Sequence, residues 1–318
     1  LGERGAAFLG CTYPVLCGAM SWVSESKLVS AISNAGGFGV IAGGAMPPSI
    51  LAAEISKTQA LTQKNFGVNL ISLHPELPAL VQTCIDMGVK YVVIAGGLPK
   101  ASTIESLKNA GIKVLCFAPT VRLAEKLVKL GVDALIVEGM EAGGHIGPVA
   151  TSILVQEIIP VISQVPVFVA GGIGTGGMIA SLMKFGAAGC QLGTRFVCSY
   201  ESIAHPNFKA AFIKAQARDA VPSVQLDEEF QVIPVRALEN QGTKDFLRIQ
   251  QEAINEYRSG ALSKQEAQLK IEKYWAGALR RAVIEGDVEY GSLMAGQSVG
   301  FISKEQSVQE IIDELVAE

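Results

Sequence analysis

Eight short apolar runs recur every twenty to thirty residues through the first two hundred positions of the chain. They are Tyr13–Cys17, Phe38–Ala42, Phe66–Leu70, Tyr91–Ala95, Lys113–Phe117, Asp133–Glu138, Pro166–Ala170 and Ala188–Leu192. These runs do not alternate apolar with polar residues, which marks strands covered on both faces, as in a parallel sheet. Segments of helical spacing lie between them. In VRLAEKLVKLG, Leu123, Leu127 and Leu130 share one face and Gly131 is a natural C-terminal stop. SESKLVSAISNAGG and TIESLKNAG end the same way. Eight such βα units favour a closed TIM-type (β/α)8 barrel over an open doubly wound sheet.

After Arg195 the rhythm changes. Residues 200–290 are more densely charged than the rest of the chain and read as helices without intervening strands, most clearly over Asp245–Glu256 and Lys264–Ile284. A loop, GSLMAGQSVG, spans Gly291–Gly300, and the chain closes with SKEQSVQEIIDELVAE, in which Ser303 and Gln306 are spaced for a capping box. The expected organisation is a barrel built from residues 1–199 and 301–318, with a helical insertion after the eighth strand, residues 200–300, covering the active site.

Composition narrows the function. A net charge of −4 excludes a binder of nucleic-acid backbone, which needs a basic surface. Charges or glycines interrupt every apolar run before it reaches bilayer length. Leu1 begins no signal-peptide pattern. The six cysteines form no C-x-x-C pair, so free buried thiols, no zinc site and a reducing cytoplasmic setting are expected.

One motif decides between cofactors. VPVFVAGGIGTGG, Val165 to Gly177, fits G-x-G-x-x-G when read from Gly172. A Rossmann fingerprint needs an acidic residue about twenty positions on, at the end of the next strand. Here the next strand, GCQLGTRF, offers none before Glu201, and the motif falls in the seventh βα unit rather than the first. The barrel reading explains more, because barrel phosphates often bind after the seventh and eighth strands. Gly171 and Gly172 end the seventh run, and Gly193 and Thr194 the eighth. Glycines there let backbone N–H groups approach phosphate oxygens.

PVFVAGGIGTGG followed by GCQLGTRF resembles the flavin-phosphate signature of the nitronate monooxygenase and type II enoyl-[acyl-carrier-protein] reductase superfamily, whose members are FMN-binding barrels. The likeness continues through YPVLCGAM, AISNAGGFGVIAGG, FGVNL, VEGMEAGGHIGP and GDVEYGSLMAGQSVG, in order along nearly the whole chain. AGALRRAVIEGDVEYGSLMAGQ is most similar to the enoyl reductases. The resemblance implies that Gly18, Ala19 and Met20 lie under the flavin, that Asn69 hydrogen-bonds it, and that Glu138 and Gln191 face it. It assigns the phosphate to Gly171, Gly172, Gly193 and Thr194, and brings Met294 and Gln297 over the site from the late loop. Two departures stand out. Cys17-Gly18-Ala19-Met20 replaces the usual Gln-Gly-Gly-Met, and Gly174-Thr175-Gly176 replaces Ala-Asp-Gly.

His145 is the catalytic candidate. It stands in EAGGHIG, just beyond the sixth strand, on the face where barrel active sites sit. His74 and His205 each precede a proline and read as turn residues. In an enoyl reductase using NADH or NADPH, His145 would stabilise charge developing on the thioester oxygen. In a nitronate monooxygenase it would face the nitro compound, with oxygen reoxidising the flavin. Glu138 and Glu141 raise a competing acid/base pair. The family often responds to a monovalent cation. An acyl-carrier-protein partner would be met by Lys209, Lys214, Arg218, Arg280 and Arg281, and chain length sensed by Phe246, Tyr274 and Trp275. A homodimer is the commonest oligomer to expect.

Overall fold

The computed structural model describes residues 2–230 and 232–317. The apolar runs become β1 (Val15–Cys17), β2 (Val40–Ala42), β3 (Gly67–Ile71), β4 (Tyr91–Ala95), β5 (Lys113–Phe117) and β6 (Ala134–Glu138). Past β7 (Gly144–His145), which belongs to a second sheet, come β8 (Val167–Ala170) and β9 (Gly189–Leu192). The barrel strands pair in parallel in the order β1-β9-β8-β6-β5-β4-β3-β2, and a parallel bridge between Leu16 and Phe38 brings the two ends together. This is the (β/α)8 barrel.

The strand pleat sends alternate residues to opposite faces. Tyr91, Val93, Leu115, Ile136 and Phe168 fill the barrel, while Val92, Ile94, Val114 and Cys116 meet the surrounding helices. Helix Glu3–Leu9, unforeseen in the sequence, plugs the N-terminal end of the strands. Leu9 is fully buried there, and Lys113 Nζ and the Tyr91 hydroxyl donate to the Phe8 carbonyl at 2.8 and 3.0 Å. Function is therefore left to the opposite mouth.

The segment after β9 is not made of helices alone. β10 (Ala220–Pro222), β11 (Val235–Leu238) and β12 (Leu293–Met294) form an antiparallel sheet in which β11 also pairs with β7. Helices Gln241–Arg258 and Lys264–Arg280 each start with a capping box, Asn240 with Thr243 and Ser263 with Glu266. They pack over a core of their own that holds Phe230, Phe246, Ile254, Ile271 and Trp275. The Phe246 and Trp275 rings lie 4.3 Å apart.

The last helix, Val308–Ala317, packs against helices Ser26–Asn34 and Gly176–Phe185 and completes the outer ring. Its N-terminal box is Ser307 with Glu310, not Ser303 with Gln306. Gln306 is drawn elsewhere: its side chain bonds Arg195 and Glu314, and its carbonyl accepts from Tyr200. Among the described residues, no helix is long and apolar enough to cross a membrane.

Candidate active site

A cavity of about 500 Å³ opens at the C-terminal ends of the barrel strands, a volume suited to a cofactor and part of a substrate. Strand register explains its floor. Leu16, Gln191, Ala170 and Glu138 are consecutive partners across β1, β9, β8 and β6, so their side chains point the same way. Leu16 and Ala170 belong to the barrel interior, and Glu138 and Gln191 therefore cap that interior at its open end. Asn69, paired with Val93 across β3 and β4, reaches the same floor, where its Nδ2 donates to the Val93 carbonyl at 3.1 Å.

The loop after β1 brings Gly18, Ala19 and Met20 to one wall. Two strands along, Gly171 and Gly172 follow β8 with φ of 97° and 71°, the left-handed region that favours glycine. A Cβ on Gly172 would lie 2.9 Å from the Glu141 Cβ. Gly193 and Thr194 follow β9 and line the same wall. Among the described residues, the N–H groups of Gly172, Ile173 and Gly193 donate to no protein acceptor. Helix Gly176–Phe185 begins directly behind, adding the positive end of its dipole. Open donors, absent side chains and a helix N-terminus fit the phosphate of a flavin mononucleotide.

Of the two departures from the family pattern, Gly174-Thr175-Gly176 has physical causes. Gly174 carries no Cβ because one would run into the Phe301 ring. Thr175 caps the helix with its hydroxyl, accepting from the Met178 N–H at 3.3 Å, a task an aspartate performs equally well.

Burial pushes the Glu138 carboxyl up to about 8. Glu138 borders the cavity, and the raised value favours the protonated carboxyl, which can donate a hydrogen bond there. Glu141 does not join it as an acid/base pair. The Glu141 carboxylate accepts from the Thr151 N–H and hydroxyl, at 2.9 and 2.8 Å, at the start of helix Thr151–Ile158.

His145 lies on β7, held in register with Val235 of β11, and borders the cavity. Its Nε2 meets Glu272 Oε2 at 3.0 Å; Glu272 is carried by helix Lys264–Arg280, 127 residues away. Arg236, the neighbour of Val235, is buried and donates through Nε to the Met140 carbonyl at 2.9 Å, tying the same loop to the inserted sheet. His74 and His205 instead accept from Glu76 and Asn207 N–H groups in their own turns.

The late loop meets these elements from above. Met294 borders the cavity, and the Gly296 N–H donates to Thr194 Oγ1 at 2.9 Å. Gln297 stands between Gly296 and Ser298, which border the cavity, and its backbone N–H donates to the Glu141 carbonyl at 2.9 Å. Phe246, Tyr274 and Trp275 pack in the insertion's own core; Phe208, Ile233 and Leu279, with Met294, are apolar residues of the insertion that reach the cavity. Lys209 is buried, bound to the Ser199 carbonyl and Glu305, and Arg280 and Arg281 face Glu285 and Asp287. Lys214 and Arg218 remain exposed.

Sequence reasoning missed Glu272. It is one charge among many on a solvated helix face, and nothing local to it signals a partner so distant in the chain.

A family model described as nitronate monooxygenase matches residues 3–81 and 77–318. The chain belongs to the nitronate monooxygenase family. It is similar to the structure of FabK from Thermotoga maritima, with a TM-score of 0.87 and 37% identity, covering 99% of this chain and 94% of that one. A nitroalkane oxidase structure from Streptomyces ansochromogenes matches with a TM-score of 0.81 and 27% identity, over 98% of this chain and 97% of that one. In sequence, the chain is 30% identical over 331 residues to (3aS,4S,5R,7aS)-5-hydroxy-7a-methyl-1-oxo-octahydro-1H-indene-4-carboxyl-CoA dehydrogenase of Rhodococcus jostii, covering 98% of this chain and 93% of that protein. The protein is a flavin-dependent oxidoreductase.

Proposed function

We propose that the chain reduces the trans-2 double bond of enoyl thioesters, using FMN and a nicotinamide donor, with acyl carrier protein as the carrier in fatty-acid synthesis. One observation carries this reading: the similarity to FabK, an enoyl-ACP reductase, runs along almost the entire chain, including the insertion whose strand β11 pairs with His145. The Rhodococcus jostii relative is named for a CoA thioester, which supports the thioester class.

When bound, the flavin would supply hydride chemistry at the substrate β-carbon, with NADH or NADPH as the donor. The N–H groups of Gly172, Ile173 and Gly193 would hold the cofactor phosphate, with Gly171 and Thr194 shaping that wall. Gly18, Ala19, Met20 and Met294 would line the space for its ring, Asn69 and Gln191 would offer it amide groups, and neutral Glu138 would offer a hydrogen-bond donor. His145 hydrogen-bonds the thioester oxygen as negative charge develops and gives a proton to the α-carbon. Phe208, Ile233 and Leu279 exclude water around the acyl chain. Exposed Lys214 and Arg218 are the basic residues left to attract an acidic carrier protein.

The family model and the nitroalkane oxidase neighbour favour a second reading, oxidation of alkyl nitronates with O2. Anaerobic incubation with NADH or NADPH and crotonyl thioester separates the two. The reductase forms butyryl thioester, identified by mass spectrometry, with one nicotinamide oxidised per product. Absence of product, with nitronate consumed in air, supports the second reading.

A further inference from the structure

We propose that Glu272 is the positioning residue for His145: its carboxylate holds the imidazole through Nε2 and leaves Nδ1 to serve the substrate. The inference rests on the reductase reading for the reaction itself, and on geometry for the pairing.

Both oxygens of Glu272 lie within reach of Nε2, at 3.0 and 3.3 Å. An ionised carboxylate only accepts, so the hydrogen of this bond sits on Nε2. Among the described residues, Nδ1 has no hydrogen-bond partner. The two nitrogens therefore have separate tasks, as in histidines whose far nitrogen is fixed by an acceptor.

The pair is also well mounted. Ile271 and Trp275, on either side of Glu272 in its helix, are buried in the insertion's core, and the His145 backbone is fixed by pairing with Val235. The side chains themselves are 43% and 44% exposed. Exposed pairs contribute little to fold stability, so this contact is poorly explained as a strut. It lies instead at the edge of the cavity.

The chemistry follows from the assignment. With the ring protonated, Nδ1–H hydrogen-bonds the thioester oxygen while the β-carbon receives hydride. The Nδ1–H bond then breaks, the electron pair of the enolate forms the α-carbon–hydrogen bond, and the imidazole is left neutral. Its remaining hydrogen stays on Nε2 against Glu272, and solvent restores the other. The electrons come from the nicotinamide donor.

The test uses FMN-loaded protein carrying Glu272→Ala, Glu272→Gln and His145→Ala, singly and with Glu272→Ala combined with His145→Ala. Flavin reduced by NADH or NADPH without oxygen is mixed with crotonyl-CoA, and reoxidation is followed. Glu272→Ala should slow reoxidation about 10- to 100-fold, as loss of the acceptor that orients a metal-bound histidine does, while flavin affinity and reduction by the nicotinamide stay unchanged. Glu272→Gln, whose amide oxygen still accepts, should recover part of the rate. Added to His145→Ala, Glu272→Ala should cost nothing more. A second readout is independent of turnover. The chain has three histidines, so the His145 ring signals in a ¹⁵N spectrum are those lost in His145→Ala. At a pH where the ring is neutral they should report the hydrogen on Nε2, and Glu272→Ala should redistribute it. Wild-type reoxidation in Glu272→Ala, or a further loss on the His145→Ala background, overturns the proposal. If wild-type flavin ignores crotonyl-CoA altogether, the reductase reading fails, and the ¹⁵N spectrum alone decides the pairing.

Discussion

The two sides of the cavity are built by different means. On the β8 and β9 side the backbone does the work: Gly171 and Gly172 at positive φ, Gly174 under the Phe301 ring, and open N–H groups at the start of a helix. On the β7 side the work falls to side chains, His145 and Glu272, half exposed and supplied by segments more than a hundred residues apart. The first arrangement is stiff and suits a cofactor that stays. The second is open to solvent and suits a substrate that comes and goes. Damage to the first side should cost flavin, and damage to the second should cost chemistry with flavin retained.

His145→Ala is the largest break. It should slow reoxidation of reduced flavin by crotonyl thioester about 10²- to 10⁴-fold, the usual worth of a positioned acid, with flavin binding intact in a fluorescence titration. Gly172→Asp breaks the other side. It adds a Cβ 2.9 Å from Glu141 at positive φ and sets a carboxylate against the phosphate, so FMN affinity should fall about tenfold or more, each tenfold being about 1.4 kcal/mol. Retained affinity would remove the phosphate assignment.

Glu138 tests the floor between the two sides. Its carboxyl, held at about 8, keeps its proton in the fold where the unfolded chain, near 4.5, has lost it. The folded state thus binds the extra proton between those values, and stability falls as pH rises through that window. Glu138→Gln should remove this slope, leaving flavin-free protein a few degrees more heat-resistant than wild type at alkaline pH and little changed near pH 5. Equal pH dependence in both proteins would mean the carboxyl is ionised in the cavity. The smallest effect is expected at the rim. Lys214→Ala with Arg218→Ala should raise KM for a carrier-protein thioester about two- to threefold, and leave the CoA thioester unaffected, since rim charges act mainly on encounter.

The same contrast governs how much could be read from the sequence. The barrel was legible because each strand is a local apolar run and each loop glycine answers a local backbone need. Gly171 and Gly193 could be placed on one wall of the cavity, since they end adjacent strands. In the insertion the two long helices were legible and the strands were not. β7 is two residues long and exists only through pairing with β11, in which Arg236 interrupts any apolar signal. Two boxes, Ser303 with Gln306 and Ser307 with Glu310, competed at the last helix, and the distant Arg195 and Glu314 drew Gln306 away. Lys209 looked like a surface base and proved to be a buried tie to Glu305. Local pattern finds what local forces build, and Glu272 depends on a partner 127 residues away.

The most direct test of the central claim is an anaerobic titration of FMN-loaded protein with NADH or NADPH, followed by crotonyl thioester, watching flavin absorbance. Bleaching by the nicotinamide and recovery on adding the enoyl substrate are the predicted result. A flavin that neither nicotinamide bleaches, yet an alkyl nitronate reduces, would contradict it.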